Sequence, residues 1–174
     1  MPDKHLDAIA LLKADHRKVE ELFARYETAR SKKADIAHQI CMELTVHTLI
    51  EEEIFYPACR EAGVEADAMD EANVEHDGAK VLIAELEDGS PDEQFYDAKV
   101  KVLSEEIKHH VKEEEKSDGV FSQARKAKLD LLALGKRLAT RKMELIGQFE
   151  EKGLPKPKTI TMKVGAALEH GSSV

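Results

Sequence analysis

Two histidine–glutamate pairs with the same spacing are the first candidates for chemistry in this sequence. His47 precedes Glu51 in "HTLIEEE" by four residues, and His110 precedes Glu114 in "HVKEEE" by four residues. On an α-helix this spacing places the imidazole and the carboxylate on the same face, about one turn apart. Imidazole nitrogens and carboxylate oxygens together are typical ligands of transition metals. Each pair therefore predicts part of a metal site.

Two further histidines extend the repeat. His16 lies in "DHRKVEELF" and His76 lies in the similar "EHDGAKVLI". His16 stands 31 residues before His47, and His76 stands 34 residues before His110. A duplicated helical pair, in which each copy gives two histidines and one glutamate, predicts a pseudo-twofold site for two metal ions.

Apolar residues at steps of three and four place these polar side chains inward. Each of four predicted helices carries one such stripe along its inward face. The stripes pass through residues 9, 12, 16, 19, 23 and 26, residues 36, 40, 44, 47, 51 and 54, residues 69, 72, 76, 79, 83 and 86, and residues 100, 103, 107, 110 and 114. Buried imidazoles and carboxylates are costly unless they are paired or bound to a cation. Apart from Lys80, at the margin of the third stripe, no lysine or arginine is available to neutralise them.

We therefore predict six metal ligands, with the two glutamates bridging two ions. The ligands are His16, His47, Glu51, His76, His110 and Glu114. The glutamates beside them are expected on the solvated face of their helices, namely Glu52, Glu53, Glu113 and Glu115.

The helices that position these residues can be read from the same periodicity. Helical segments are predicted at about residues 3–30, 35–63, 66–86, 90–117 and 122–151. Pro57 should bend the second segment, and Ser90 should cap the fourth with Pro91 at its first position.

The predicted fold class is all-α. Four helices of similar length on short loops favour an up-down-up-down four-helix bundle, here with an additional C-terminal helix and tail. The predicted domains are the bundle at residues 1–121, the fifth helix at 122–151 and a weakly structured tail at 152–174. The fifth helix should pack beside its own bundle or form a homodimer through a second copy.

Composition excludes several kinds of partner. The 174 residues are 42% hydrophobic and 35% charged, with a net charge of −9. That charge argues against nucleic acid or an anionic membrane as a partner. The charged N-terminus has no signal-peptide core and no apolar run approaches the roughly 20 residues of a membrane span, so we expect a cytoplasmic protein. Cys41 and Cys59 form no zinc motif or disulfide framework.

The donor set favours iron. Mixed nitrogen and oxygen donors fit neither a thiolate zinc site nor an all-oxygen magnesium site. Imidazole with bridging carboxylate in a bundle core suits iron, with manganese as a competitor and zinc less expected. Six side chains shared by two ions leave coordination positions for a small molecule.

The chain resembles the haemerythrin-like HHE cation-binding domains over about residues 5–125. The matching segments are "LKADHRKVEELF", "HTLIEEEIFYP", "EHDGAKVLIAEL" and "HHVKEEE". The resemblance implies a four-helix bundle around two non-haem iron ions, often bridged by oxo or hydroxo. It implies the same six ligands at the matching positions.

Two departures from the family pattern bear on function. Lys80 stands where oxygen-carrying haemerythrins have a second histidine four residues after His76, and "KSDG" follows the last glutamate run. With one ligand fewer, the resemblance implies a protein closer to relatives that handle peroxide or nitric oxide, or that donate iron.

Two functions remain open from the sequence. The first is a di-iron protein that binds and reacts with hydrogen peroxide, O2 or nitric oxide, and the sequence leaves open whether it is an enzyme. The second is a non-catalytic sensor of O2, nitric oxide or iron, or an iron store or donor. Lys80 is a candidate hydrogen-bond donor to bound peroxide, and Tyr26 and Tyr56 are candidates to approach the metals.

Overall fold

The computed structural model describes residues 6–163 together with Leu168 and Gly171. Its α-helices are α1 (Ala8–Thr28), α2 (Lys33–Ile50), α3 (Tyr56–Glu61), α4 (Ala66–Asp88), α5 (Tyr96–Glu115), α6 (Val120–Lys126) and α7 (Leu131–Lys152), with a π-helical turn (Glu51–Phe55) between α2 and α3. All regular structure in this part of the chain is helical, which confirms the all-α prediction. None of these helices combines the length and apolar character needed to cross a membrane.

Contacts between the helices define an up-down-up-down bundle of α1, α2, α4 and α5. His16, in the first half of α1, meets His47 near the end of α2. His76, in the first half of α4, meets His110 near the end of α5. His16 also contacts Glu115, the last residue of α5, so neighbouring helices run antiparallel all round the bundle.

Two apolar clusters fill the core. One gathers around the start of α1, the π-helical turn, α3, α6 and α7, and includes Leu12, Phe55 and Leu138. The other occupies the opposite end of the bundle, around the end of α1 and the facing parts of α2, α4 and α5. The predicted metal ligands belong to neither cluster and lie in a polar layer between them.

The second helix differs from the prediction at its C-terminal end. The predicted stripe continued to Ile54, yet Ile54 is only partly buried while Phe55 and Tyr56 are almost fully buried. The π-helical turn is the reason: it winds the chain by hydrogen bonds from residue i+5 to residue i, so every residue after Glu51 is displaced around the axis. Pro57 then lies in the first turn of α3, where its missing N–H needs no partner.

The start of the fourth helix was also predicted wrongly. Ser90 does not cap a helix at Pro91, because its hydroxyl contacts Asp92 instead. The helix begins at Tyr96, after Phe95 in a left-handed conformation with φ 73°. Phe95 is 62% exposed and is not part of the apolar stripe.

The predicted fifth helix is two helices. A break between α6 and α7 contains Lys128 at φ 57°, and the Asp130 side chain caps α7 by accepting from the N–H of Ala133. The apolar face of α7 packs on its own bundle through Leu134, Leu138, Leu145 and Phe149. Homodimer formation through this helix stays a prediction.

A buried carboxylate holds the tail on the bundle by hydrogen bonds. Asp77 of α4 accepts hydrogen bonds from the backbone N–H groups of Ile160, Thr161 and Met162 and from the Thr161 hydroxyl. The carboxylate is fully buried, and burial by itself raises its pKa. The hydrogen bonds from the tail and from Lys80 have the larger effect and hold the pKa of Asp77 well below its usual range. The tail is therefore anchored through residue 162, and the rest of the predicted weakly structured tail lies partly outside the described residues.

Candidate metal centre

Four histidines, one from each bundle helix, converge on the bundle axis. The Nε2 atoms of His16 and His47 lie 3.2 Å apart. Those of His76 and His110 lie 3.3 Å apart. Each of the four residues is at most 7% exposed. The structure thus brings together all four histidines that the sequence predicted.

The two predicted glutamates connect these histidine pairs. Glu51 places Oε1 3.3 Å from Nε2 of His47 and Oε2 3.3 Å from Nε2 of His76. Glu114 places Oε2 3.4 Å from Nε2 of His16 and 3.5 Å from Nε2 of His110. Both carboxylates therefore face both pairs, as bridging ligands would.

The six side chains form two overlapping groups able to hold a metal ion. Each residue of a group offers one ligand atom, and these atoms lie within 4.8 Å of one another. The first group is His16, His47, Glu51 and Glu114, and the second is Glu51, His76 and His110. Glu51 belongs to both groups and so lies where the two groups meet.

Two carboxylate oxygens at the centre have no hydrogen-bond donor, and such oxygens fit a bound cation. Among the described residues, Oε1 of Glu51 and Oε2 of Glu114 are buried without a hydrogen-bond partner. An orphaned buried carboxylate oxygen is costly, and burying it is favourable when a cation supplies the missing interaction. The donor set of imidazole nitrogen and carboxylate oxygen suits a divalent transition metal.

Outer carboxylates from the same half orient two of the histidines. Nδ1 of His47 lies 3.4 Å from Oδ2 of Asp15, and Nδ1 of His110 lies 2.6 Å from Oε2 of Glu75. A carboxylate on Nδ1 stabilises the tautomer with its proton there and leaves Nε2 free to bind metal. Lys142 of α7 in turn contacts Asp15.

Outer carboxylates from the opposite half orient the other two. Nδ1 of His16 lies 2.8 Å from Oε1 of Glu115, and Nδ1 of His76 lies 3.2 Å from Oε1 of Glu52. Glu52 and Glu115 were expected on a solvated face, and that expectation was wrong. Glu115 lies on the side of α5 that faces α1, and Glu52 lies on the side of the π-helical turn that faces α4.

The four outer carboxylates were missed, although the sequence holds a signal for them. Each stands directly beside a ligand: Asp15 before His16, Glu75 before His76, and one glutamate after each of the two bridging glutamates. A carboxylate next to an inward residue lies on the helix flank, within reach of the next helix. The duplicated arrangement of such neighbours was the available clue.

The carboxylates also govern the protonation of the centre. Burial lowers the pKa of His47, but Glu51 and Asp15 outweigh burial and raise it to about 10. In the same way Glu51 and Glu52 raise the pKa of His76 to about 9. Burial raises the pKa of Glu51, yet His47 and His76 hold it well below its usual range. The carboxylates therefore favour a positive charge among the four histidines.

Tyr56 reaches both glutamates because of the π-helical turn. In an α-helix a residue five positions on lies roughly 140° around the axis, on another face. In the π-helical turn the N–H of Tyr56 instead donates to the carbonyl of Glu51, which returns Tyr56 to the inner face. Its hydroxyl lies 2.8 Å from Oε1 of Glu114 and 3.4 Å from Oε2 of Glu51. Burial and these two carboxylates raise the pKa of Tyr56 well above its usual range.

Two aromatic rings cover the centre. Tyr56 stacks on His76 with ring centroids 5.7 Å apart, and Phe121 of α6 stacks on His16, also at 5.7 Å. Tyr26, by contrast, donates its hydroxyl to Asp97 and belongs to the apolar cluster at the far end. Of the two tyrosines considered from the sequence, Tyr56 alone approaches the ligands.

Lys80 occupies a different place from the one expected. Its Nζ lies 2.8 Å and 3.0 Å from the two Glu52 oxygens and 3.2 Å from Oδ1 of Asp77. It therefore supports the outer carboxylate of His76 and is engaged by these acids. A direct hydrogen bond from Lys80 to bound peroxide does not fit these contacts.

A cavity of about 20 Å³ adjoins the centre. Its walls are the four histidines with Asp15, Val19, Glu43, Leu44, Thr48, Ile107 and Val111. This volume is close to that needed for a single water molecule, so the space suits only a very small ligand.

Comparisons with known proteins agree with this geometry. Residues 7–118 match the family described as hemerythrin HHE cation binding domain. Among solved structures, a hemerythrin HHE cation binding domain-containing protein from Mycobacterium kansasii, described as an Rv2633c homolog, is similar in fold. That match has a TM-score of 0.66 and 19% identity, and it covers 86% of this chain and 95% of the other. No curated protein matches the chain. The family match spans most of the chain and includes all six predicted ligands, so the protein belongs to the hemerythrin HHE cation-binding domain family.

Proposed function

We propose that the protein holds two iron ions and reacts with a small oxidant: hydrogen peroxide, O2 or nitric oxide. The observation that carries this proposal is the pair of orphaned buried oxygens on Glu51 and Glu114 between four converging imidazoles. Iron is favoured because mixed imidazole and carboxylate ligation in a helical bundle suits it.

The chain's own residues prepare the site for such a ligand. When bound, the two ions would supply Lewis-acid and redox chemistry. The six side chains would hold the ions close together, while the outer carboxylates orient the imidazoles. Val19, Leu44 and Ile107 line the small cavity and exclude larger organic molecules. Tyr56 donates to Glu114 and so fixes the orientation of that carboxylate.

Metal analysis of anaerobically purified protein tests the centre, and peroxide turnover tests the reaction. We expect about two irons per chain and an absorption spectrum that changes on addition of peroxide, followed by multiple-turnover loss of peroxide. His47→Gln removes a ligand and should abolish this behaviour. His38→Gln removes a 52% exposed histidine outside the centre and should leave it unchanged.

The other outcomes separate the alternatives. Tight, reversible binding of O2 or nitric oxide without turnover would favour the sensor, and release of iron to an acceptor would favour the donor. A single zinc ion, or no metal in a folded helical protein, would overturn the di-iron proposal.

A further inference from the structure

The two halves of the repeat present different outer surfaces at equivalent positions. In the first half, Leu11, Val46 and Ile50 lie beside the ligands and are buried in the cluster that includes α7. The repeat that aligns His16 with His76 and His47 with His110 gives their counterparts in the second half, which are Glu71, His109 and Glu113. Helix α7 covers the first surface, and the second is open and acidic.

A cavity of about 190 Å³ lies on this open surface. Its walls carry six carboxylates besides Glu114: Glu65, Asp67, Glu71, Glu75, Glu113 and Asp118. Lys116 is the one lysine in the wall, and it lies 2.6 Å from Glu113. A concave surface lined by one sign of charge concentrates ions of the opposite sign.

The "KSDG" segment, which departs from the family pattern, forms part of the cavity rim. Lys116, Asp118 and Gly119 all line the cavity. A side chain at Gly119 would overlap the carbonyl oxygens of Glu113 and Glu114, so the turn packs directly against the end of α5. The first half continues instead through the π-helical turn into α3.

The cavity reaches the metal centre at its inner wall. His110 and Glu114 line it, each is 3% exposed, and Oε2 of Glu114 has no hydrogen-bond partner among the described residues. This oxygen atom, which lacks a hydrogen-bond donor, marks the wall at which a cation would be taken up. The cavity thus joins the solvent to a predicted ligand.

Two carboxylates of the cavity wall form a cluster with the neighbouring His109. Glu71, Glu75 and His109 place ligand atoms within 4.8 Å of one another. Glu75 connects the cluster to the centre: Oε1 lies 3.4 Å from Nε2 of His109, and Oε2 lies 2.6 Å from Nδ1 of His110. Carboxylates with an exposed imidazole are suitable ligands for a divalent transition metal.

We propose that Glu71, Glu75 and His109 form a transit site where a divalent metal ion binds on its way to His110 and Glu114. The inference rests on the proposed metal centre and adds the route by which that centre is loaded. The buried ligands need an entrance for ions, and α7 covers the equivalent surface of the other half. The acidic cavity is that entrance.

The rate of metal uptake tests this route. Metal-free protein is mixed anaerobically with Co²⁺ at low ionic strength, and the visible absorption of bound cobalt is followed by stopped flow. The double variant Glu71→Gln/His109→Gln should reach the same occupancy and the same final spectrum as the wild type. Its uptake rate should fall on the order of tenfold and depend less on salt.

A matched variant controls for charge and composition. Glu105→Gln/His38→Gln removes the same side-chain types from exposed positions outside the cavity and should load at the wild-type rate. Equal rates for the wild type and both variants, with two ions bound at the end, would overturn the transit site alone. A wild-type protein that takes up no Co²⁺ would instead overturn the metal centre on which it rests.

Discussion

The two halves of the metal centre are nearly identical in their ligands and different in nearly everything that surrounds them. Each half gives two histidines, one bridging glutamate and two outer carboxylates. Beyond these residues, the first half has the π-helical turn, Tyr56 and the cover of α7, whereas the second has Phe121, the "KSDG" turn and an open acidic cavity. If these side chains bind metal as proposed, coordination would constrain their geometry in both halves. The residues around them are under no such constraint and can differ between the halves.

The bridging glutamates should show the largest difference between the halves. Glu51 belongs to both ligand groups and Glu114 to one. Glu51→Ala should therefore lose both ions, while Glu114→Ala should retain about one ion per chain. Elemental analysis after loading measures this, with circular dichroism to verify the fold. Equal metal loss in the two variants would show that the glutamates are equivalent despite their different contacts.

The outer glutamates test whether each half supports a histidine of the other half. Glu115→Gln removes the carboxylate on His16, and Glu52→Gln removes the one on His76. Loss of such a partner should weaken metal binding about 10–100-fold. Calorimetric titration of metal-free protein with Co²⁺ measures the affinities of the two ions.

Glu53→Gln is the control for these variants, because Glu53 pairs with Arg141 on the surface. It should bind both ions as tightly as the wild type. If all three variants bound metal equally, the outer glutamates would have no role in orienting the histidines.

Tyr56 and Phe121 both stack on a histidine of the centre, but Tyr56 alone has a hydroxyl. This difference should appear in the stability of the metal-free protein. Tyr56→Phe removes the donor to Glu114, and hydrogen bonds to charged groups contribute about 1.5–3 kcal/mol. Phe121→Leu replaces one apolar side chain by another and should cost less than about 1.5 kcal/mol. Urea unfolding gives both values, and a larger loss for Phe121→Leu would contradict the asymmetry.

The cover by α7 can be tested with two glycines of that helix. An added methyl group at Gly135 would overlap the backbone of Leu6, Asp7 and Ala8, whereas one at Gly147 has nothing within 4 Å. Gly135→Ala should lower the free energy of unfolding by about 1–3 kcal/mol, because it forces α7 away from α1. Gly147→Ala should raise it by about 0.5–1 kcal/mol through better helix propensity. Thermal unfolding measures both, and effects of the same sign would contradict close packing of α7.

The inward position of the four histidines could be predicted because helical periodicity is a property of one helix at a time. It placed His16, His47, His76 and His110 inward, and the structure buries all four. The second argument, that the cost of burying uncompensated polar groups requires a cation, stays a prediction.

The surroundings could not be predicted in this way. Whether Glu52 faces solvent or a neighbouring helix depends on the arrangement of several helices, which the period of one helix does not contain. The π-helical turn changes the backbone hydrogen bonds without changing the apolar character of residues 54–56, so the stripe was extended to Ile54 in error. At Ser90 a local contact with Asp92 competes with capping, which the capping pattern alone does not reveal.

The anchor of the tail on Asp77 has a consequence for synthesis of the chain. Asp77 receives its last backbone donor from Met162, which is 85 residues further along. At about 5–20 residues per second, the ribosome adds that residue roughly 4–17 seconds later. Until then, Lys80 is the donor that α4 itself offers to this carboxylate. A chain that stops before Ile160 would lack the three backbone donors and the Thr161 hydroxyl that hold Asp77, so we expect it to be less stable than the finished protein.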